Sequence, residues 1–214
     1  MKAVVFDMDG VLVDSEIHWR NVAADFLRTL VPTWSEQDQR SILGMSAVDV
    51  HARLVERYGI LLSLAEFVGF YRGLASTIYG HRSSLLPGVK ELLLQLHGSG
   101  VRMGIASSSP RAWIDLVVER FELRPYFLTL VGSDDVGGKG KPAPDIYQLA
   151  ARTLERHPDE CVAIEDTEKG IRSAKVAGMV CVGYQNGFNV QQDLSLADAV
   201  ISDFACFPLE LLRV

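Results

Sequence analysis

Two aspartates one residue apart, Asp7 and Asp9, stand in the stretch Val5-Phe6-Asp7-Met8-Asp9-Gly10-Val11-Leu12-Val13-Asp14-Ser15. Carboxylates this close repel each other, and an apolar core does not tolerate them. A divalent cation between them, or a proton on one of them, explains the pair, and either is chemistry rather than packing. Asp-x-Asp-Gly also occurs in calcium loops and plain turns. The helix-loop-helix calcium pattern fails here. It wants an acidic or amide side chain at Val11, a glycine at Leu12, and a helix before the loop. Ala3 to Phe6 is instead a short, apolar, valine-rich run that reads as a buried strand, with both aspartates at its carboxyl end.

The elements that position these residues follow from periodicity. After Asp14-Ser15 the chain turns helical, with Trp19, Val22, Ala23, Phe26, Leu27 and Leu30 as an apolar stripe that Pro32 stops. A second helix is predicted from Ser35, closed by Gly44. A third is capped by Ser46, with Val50, Leu54, Val55 and Tyr58 inward and Gly59 as its stop, and a fourth spans Leu64 to Tyr79. No strand is expected between Asp14 and Pro87, so residues 15–83 read as an inserted helical unit. From Pro87 strands and helices alternate. Strands are expected at Val101 to Ala106, Phe127 to Val131, Cys161 to Ile164, Val180 to Val182 and Ala199 to Ile201. Helices run from Pro87 to His97, from Pro110 to Arg120, from Pro144 to Leu154 and from Thr167 to Ala177, and a short one closes the tail at Phe207 to Leu212. That alternation predicts an α/β fold, a doubly wound parallel sheet of Rossmann type built from residues 1–14 and 84–214.

In such folds ligands bind outside the carboxyl ends of the strands. Polar residues do cluster there: Asp7 and Asp9, Ser107, Glu165 and Asp166, with Lys141 in the loop beyond the strand ending at Val131. Each has an ordinary reading of its own. Ser107 could belong to a serine turn, Ser109 is placed to cap the helix at Pro110, Lys141 could be a surface lysine, and Asp166 could cap the helix at Thr167. Their position on one sheet edge argues for a shared site. Two other motifs are excluded. Gly137-Gly138-Lys139-Gly140-Lys141-Pro142 lacks both the glycine a nucleotide phosphate loop needs at Asp135 and the hydroxyl it needs at Pro142, and Gly98-x-Gly100 follows a helix rather than a strand.

Together these groups fit phosphoryl transfer. That reaction needs a nucleophile, a counter-charge for the transferring oxygens and a proton donor for the leaving group. Asp7, Asp9, Asp166 or Glu165, Lys141 and Ser107 supply those parts.

Composition sets limits. The 214 residues are 48% hydrophobic and 22% charged with net charge −6, which disfavours a nucleic-acid partner. No apolar run approaches the ~18 residues needed to span a bilayer, so no membrane partner is expected. A cytoplasmic location, as a monomer or weak homodimer, is the default expectation. Cys161 and Cys181 lie in strand-like runs and are expected as buried thiols.

The quoted segments resemble the four motifs of the haloacid dehalogenase superfamily in order. They are Asp7-Met8-Asp9-Gly10-Val11 through Asp14-Ser15, Ala106-Ser107-Ser108, Gly140-Lys141-Pro142-Ala143-Pro144-Asp145, and Ile164-Glu165-Asp166 with Gly170 and Ala177-Gly178-Met179. The helical insertion and the later motifs are similar to the beta-phosphoglucomutase and sugar-phosphatase-like branch. The resemblance implies Asp7 as nucleophile and Asp9 as general acid/base. It implies Mg2+ held by Asp7, Asp166 and the Asp9 backbone carbonyl, with Glu165 a direct or outer-shell partner. Ser107 and Lys141 would hold the phosphoryl group, with Gly10 and Ser108 beside it. Residues 15–83 would be a cap that closes over the site, with His18, Gly44, Met45 and Ser46 facing the substrate, a small phosphorylated metabolite. The resemblance also places Trp19 where such caps face the site, but its position in the apolar stripe reads as core, and His81 and Arg82, near the return linker, read as solvated.

The second aspartate argues against dehalogenation. There is no lysine between Lys2 and Lys90, and Ala47 and Val48, not an arginine, follow Gly44-Met45-Ser46. The mutase of this branch uses cap cations there to grip a second phosphate, so a phosphatase is the preferred reading and a sugar phosphomutase the alternative. A non-catalytic phospho-accepting switch is disfavoured by the insertion and by the early position of Asp7.

Overall fold

A computed structural model describes residues 2–42, 45 and 47–212. The chain divides into two compact units, one of residues 1–14 and 84–214 and the other of residues 15–83.

The first unit is built on a six-stranded, all-parallel sheet. Its strands are β1 (Ala3–Phe6), β2 (Arg102–Ala106), β3 (Thr129–Val131), β4 (Cys161–Glu165), β5 (Val180–Tyr184) and β6 (Ala199–Ile201), in the spatial order β3-β2-β1-β4-β5-β6. Every residue of β1 and β4 is buried, as expected for central strands covered on both faces. The polar Thr129 and Glu165 at the ends of β3 and β4 are buried too. One core layer packs Ile146, Tyr147, Ala150, Ile171 and Ala174 onto Val5, Ala163 and Cys181. Cys161 and Cys181 are buried thiols and Cys206 is exposed.

The strand predicted from Phe127 begins at Thr129, because Arg124–Tyr126 forms a tight helical turn that carries the chain up to the sheet. The tail helix likewise shortens to a single turn, Leu209–Leu212. The segments on either side of the insertion meet within this unit. Val13 pairs antiparallel with Leu85, and the Ser84 N–H donates to Asp14 Oδ1 at 2.6 Å.

The second unit is helical: α1 (Ser15–Leu30), α2 (Glu36–Ser41), α3 (Ala47–Tyr58) and α4 (Leu64–Thr77); the helices of the first unit that follow it in the chain are α5 (Val89–Gly98), α6 (Arg111–Arg120), α7 (Asp145–Thr153) and α8 (Glu168–Ala177). Reciprocal hydrogen bonds between Ser35 and Asp38 start α2, and those between Ser63 and Glu66 start α4. The fourth helix stops at Thr77, and Ile78–Arg82 continues as a wider π turn. Leu27, Trp34, Val50, Leu54 and Phe67 form this unit's own core. Val55, expected inward, is exposed: Val50 and Leu54 share the buried face, and Val55 lies about 100° round the helix from Leu54. Trp19 is half-buried, stacks on Tyr71 and donates its indole N–H to the Tyr79 hydroxyl at 2.9 Å. Gly44 and Ser46, expected to end one helix and cap the next, lie outside the described residues.

Candidate active site

Parallel register assembles the site. Phe6 is level with Ile105 on β2 and with Ile164 on β4. The next residue on each strand is Asp7, Ala106 or Glu165, so these three stand side by side at the carboxyl edge of the sheet. The Asp7 N–H still donates to the Ile164 carbonyl at 3.0 Å, which holds Asp7 at the sheet's edge. The Ser107 N–H donates to the Val131 carbonyl at 3.0 Å and fixes the turn after β2 in the same way.

Lys141 reaches this edge from the loop before α7 (Asp145–Thr153). Its ammonium donates to Asp7 Oδ1 at 2.6 Å, to Glu165 Oε1 at 2.5 Å and to the Ala106 carbonyl at 2.9 Å. The lysine side chain is 7% exposed, so it is not the solvated surface group its sequence position also allowed. The Tyr147 hydroxyl donates to the same Glu165 oxygen at 2.6 Å, from inside the core.

Asp7, Glu165 and Asp166 are all buried and each offers an oxygen within 4.8 Å of the others; among the described residues no second group of this kind occurs. Burial pushes the Asp7 carboxyl up to about 8. The Lys141 ammonium opposes that rise, and Glu165 and Asp9 contribute to it. Burial pulls Lys141 down, but Asp7 and Glu165 outweigh it and hold the ammonium above its usual range. One ammonium cannot neutralise three buried carboxylates. The surplus negative charge and the all-oxygen donor set fit a hard divalent cation such as Mg2+, for which Asp7, Asp166 and Glu165 are the candidate ligands.

Asp9 points elsewhere. Its Oδ2 accepts from the Ser109 hydroxyl at 2.9 Å and, more weakly, from the Ser107 hydroxyl at 3.4 Å. Ser109 is therefore not the helix cap the sequence suggested. Pro110 occupies that position in front of α6 (Arg111–Arg120) and makes no cap bond of its own; Asp134 Oδ1 accepts from the Arg111 N–H at 2.8 Å instead. Thr167, not Asp166, caps α8 (Glu168–Ala177) by accepting from the Gly170 N–H at 3.1 Å. Ser108 is exposed beside Ser107.

Gly10 is buried and has φ +79; a Cβ there would lie 2.1 Å from Asp166 Oδ2, so the turn after β1 admits only glycine. In the helical unit, His18 is half-buried. Met45 packs on that unit's core and borders a groove of about 420 Å³ with Asp49, Ala52, Arg53 and Glu56. His81 and Arg82 are exposed.

Tyr147, Asn186 and Asn189 escaped the sequence reading. Tyr147 lies in an apolar helical stripe and its ring reads as core. Asn186 and Asn189 follow β5, where the strand-end rule that singled out the other residues also applies; its use at that strand would have found them.

The model of the haloacid dehalogenase-like hydrolases matches residues 1–178. The chain is 34% identical over 225 residues to the beta-phosphoglucomutase of Bacillus subtilis, covering 100% of this chain and 94% of that one. It is 28% identical over 225 residues to the phosphoglycolate phosphatase of Salmonella paratyphi A, covering 92% and 86%. It is 31% identical over 212 residues to the bifunctional riboflavin kinase/FMN phosphatase of Arabidopsis thaliana, covering 97% of this chain but spanning only about half, 54%, of that protein. Among solved structures, CbbY from Rhodobacter sphaeroides in complex with phosphate superposes with a TM-score of 0.86 at 25% identity, covering 100% of both chains.

Proposed function

Because the chain belongs to the haloacid dehalogenase-like hydrolase family, we propose that it is a Mg2+-dependent phosphatase of a small phosphorylated metabolite, most simply a sugar phosphate, working through an aspartyl-phosphate. The observation that carries this reading is the Lys141 ammonium bridging Asp7 and Glu165 beside Asp166, with Asp9 held apart by serine hydroxyls. Two neighbouring aspartates in different surroundings suit two different jobs.

In this reading an Asp7 carboxylate oxygen attacks phosphorus and the phosphorus–ester oxygen bond breaks. Asp9 gives a proton to the leaving oxygen. Asp9 then takes a proton from water, whose oxygen attacks the aspartyl-phosphate, and the Asp7 carboxylate and inorganic phosphate are released. Lys141 and Ser107 bind non-bridging phosphoryl oxygens. A cation held by Asp7, Asp166, the Asp9 carbonyl and, directly or through its outer shell, Glu165 would offset the repulsion between carboxylate and phosphate.

The test is phosphate release from a panel of phosphorylated sugars, nucleotides and short acids, with Mg2+ and with chelator. Chelator is expected to abolish release. Asp7→Asn is expected to lower it by about 10³-fold or more, the scale lost with a covalent nucleophile. Release that survives Asp7→Asn removes the reading.

A second reading, a sugar phosphomutase, is favoured by the Bacillus subtilis relative, which aligns with the whole chain. The helical unit's lack of lysine and the Ala47-Val48 sequence disfavour it. Glucose 6-phosphate formed from beta-glucose 1-phosphate with a trace of the 1,6-bisphosphate, without free phosphate, would establish it instead.

A further inference from the structure

Strand β5 ends at Tyr184, and the chain turns at once through Gln185-Asn186-Gly187-Phe188-Asn189. Two asparagines in this turn lock one another. Asn186 Oδ1 accepts from the backbone N–H of Phe188 at 2.9 Å and of Asn189 at 3.0 Å. Asn189 Oδ1 accepts in return from the Asn186 N–H at 3.1 Å. Asn189 is 6% exposed, and its amide donates to the backbone carbonyls of Asp166 at 2.7 Å and Tyr184 at 2.9 Å. The turn is thus tied to the end of its own strand and to the end of β4.

With its oxygen engaged, the Asn186 amide nitrogen has a fixed direction. Nδ2 donates to Asp166 Oδ2 at 3.0 Å and to the Gly10 carbonyl at 2.8 Å. One side chain therefore fastens the turn after β1 to the acidic residue after β4. Only a carboxamide does this: the turn needs the acceptor, and Asp166 and Gly10 need the donor. An aspartate would set another carboxylate against Asp166, and an alanine would supply neither group.

We infer that Asn186 is a positioning residue for cation binding, setting the Asp166 carboxylate and the Gly10 turn against Asp7 before the cation arrives. The inference rests on the carboxylate cluster's being a Mg2+ site, as proposed above. Hydrogen bonds to a ligating carboxylate fix its orientation, and removing such outer partners typically weakens metal affinity about 10- to 100-fold. An unrestrained Asp166 would also have to lose its side-chain freedom on binding.

The experiment is calorimetric titration of Mg2+ into the substrate-free protein, comparing wild type, Asn186→Ser, Asn186→Gln and Asp166→Asn. Serine keeps a short oxygen that takes up the turn's N–H groups but does not reach Asp166. We expect Asn186→Ser to bind Mg2+ about tenfold more weakly. Its KM for a phosphate ester should be unchanged, its kcat regained at saturating Mg2+ and its Tm in chelator close to that of wild type. Asn186→Gln, which keeps the amide on a longer arm, should lose less affinity. Asp166→Asn should lose more. Equal Mg2+ affinity in wild type and Asn186→Ser overturns the inference and leaves the phosphatase reading standing. So does a fall in Tm in both Asn186 variants without a change in Mg2+ affinity, which would mark a purely structural role. A wild-type protein that binds no Mg2+ and ignores chelator removes the metal site itself and this inference with it.

Discussion

Tyr147 and Glu165 share a hydrogen bond of 2.6 Å sealed inside the core, with the tyrosine hydroxyl donating to the carboxylate oxygen that also receives Lys141. Neither residue is exposed to solvent. The Lys141 ammonium sits 5.1 Å from the centre of the Tyr147 ring, so the same side chain supports both members of the ion pair. Tyr147→Phe keeps the ring and removes only the hydrogen bond. It is expected to cost about 1–2 kcal/mol of stability, because Glu165 loses one of its buried donors. It should lower kcat/KM about tenfold, as Glu165 and Lys141 lose their fixed orientation. Urea unfolding and steady-state kinetics on one preparation check both. A variant as stable and active as wild type would make Tyr147 an ordinary core residue.

Lys141 and Asp7 make opposite contributions in the metal-free protein. Removing the ammonium leaves Asp7 and Glu165 buried without their cation, and Lys141→Ala is expected to lose about 3–5 kcal/mol. Asp7 itself is pushed up to about 8 by burial, so its charged form is disfavoured in the fold. Asp7→Asn, which cannot ionise, should therefore be at least as stable as wild type in chelator while being inactive. Denaturant midpoints in chelator are expected to fall in the order Asp7→Asn, wild type, Lys141→Ala. A large loss in Asp7→Asn would mean that the carboxylate supports the fold rather than straining it.

The parts of this site visible in the sequence are those whose chemistry conflicts with their setting. Asp7 and Asp9 beside an apolar strand, and Glu165-Asp166 after another, are polar groups that packing does not explain. The alternation of strand and helix supplied the parallel sheet, and the sheet supplied the shared edge. Side chains that agree with an ordinary local role were harder to read. Ser109 before Pro110 has the form of a helix cap, yet its hydroxyl goes to Asp9. Tyr147 fits a helical apolar stripe, and only its hydroxyl, invisible to periodicity, belongs to the site. The partners of Asn186 are more than a hundred residues away at Gly10 and 20 residues away at Asp166, so no local pattern signals them.

Gly170 shows a motif residue whose reason appears only in three dimensions. It lies in the first turns of α8, where a Cβ would stand 1.9 Å from Glu165 Oε2. Alanine is a better helix former than glycine by about 1 kcal/mol. Overpacking a full core costs about 1–3 kcal/mol, and displacing Glu165 also breaks its bonds to Lys141 and Tyr147. The second effect wins: Gly170→Ala should lower stability by about 2 kcal/mol or more and reduce activity together with it. A gain in Tm would show that Glu165 has room to move.

In the helical unit the clearest pH response belongs to Asp38. Its carboxylate accepts from the Ser35 hydroxyl at 2.6 Å and the Ser35 N–H at 3.0 Å, and pairs with Arg57 at 2.9 Å. The Ser35 hydroxyl, then the Tyr58 hydroxyl and the Ser35 N–H, hold the Asp38 carboxyl down from 3.8 to about 2, against the upward push of burial and with a smaller pull from Arg57. A carboxyl held lower in the folded state stabilises the fold fully above its unfolded value and loses that contribution as pH falls through its folded value. Here the window runs from 3.8 down to about 2. Asp38→Asn should therefore have a lower Tm than wild type at neutral pH. The gap should close as pH falls through that window, because the wild type alone loses the charged contacts. Thermal unfolding of both proteins from neutral pH down through the window tests this. A gap that stays constant would assign the loss to packing around Trp34 and Tyr58 instead of to the charge on Asp38.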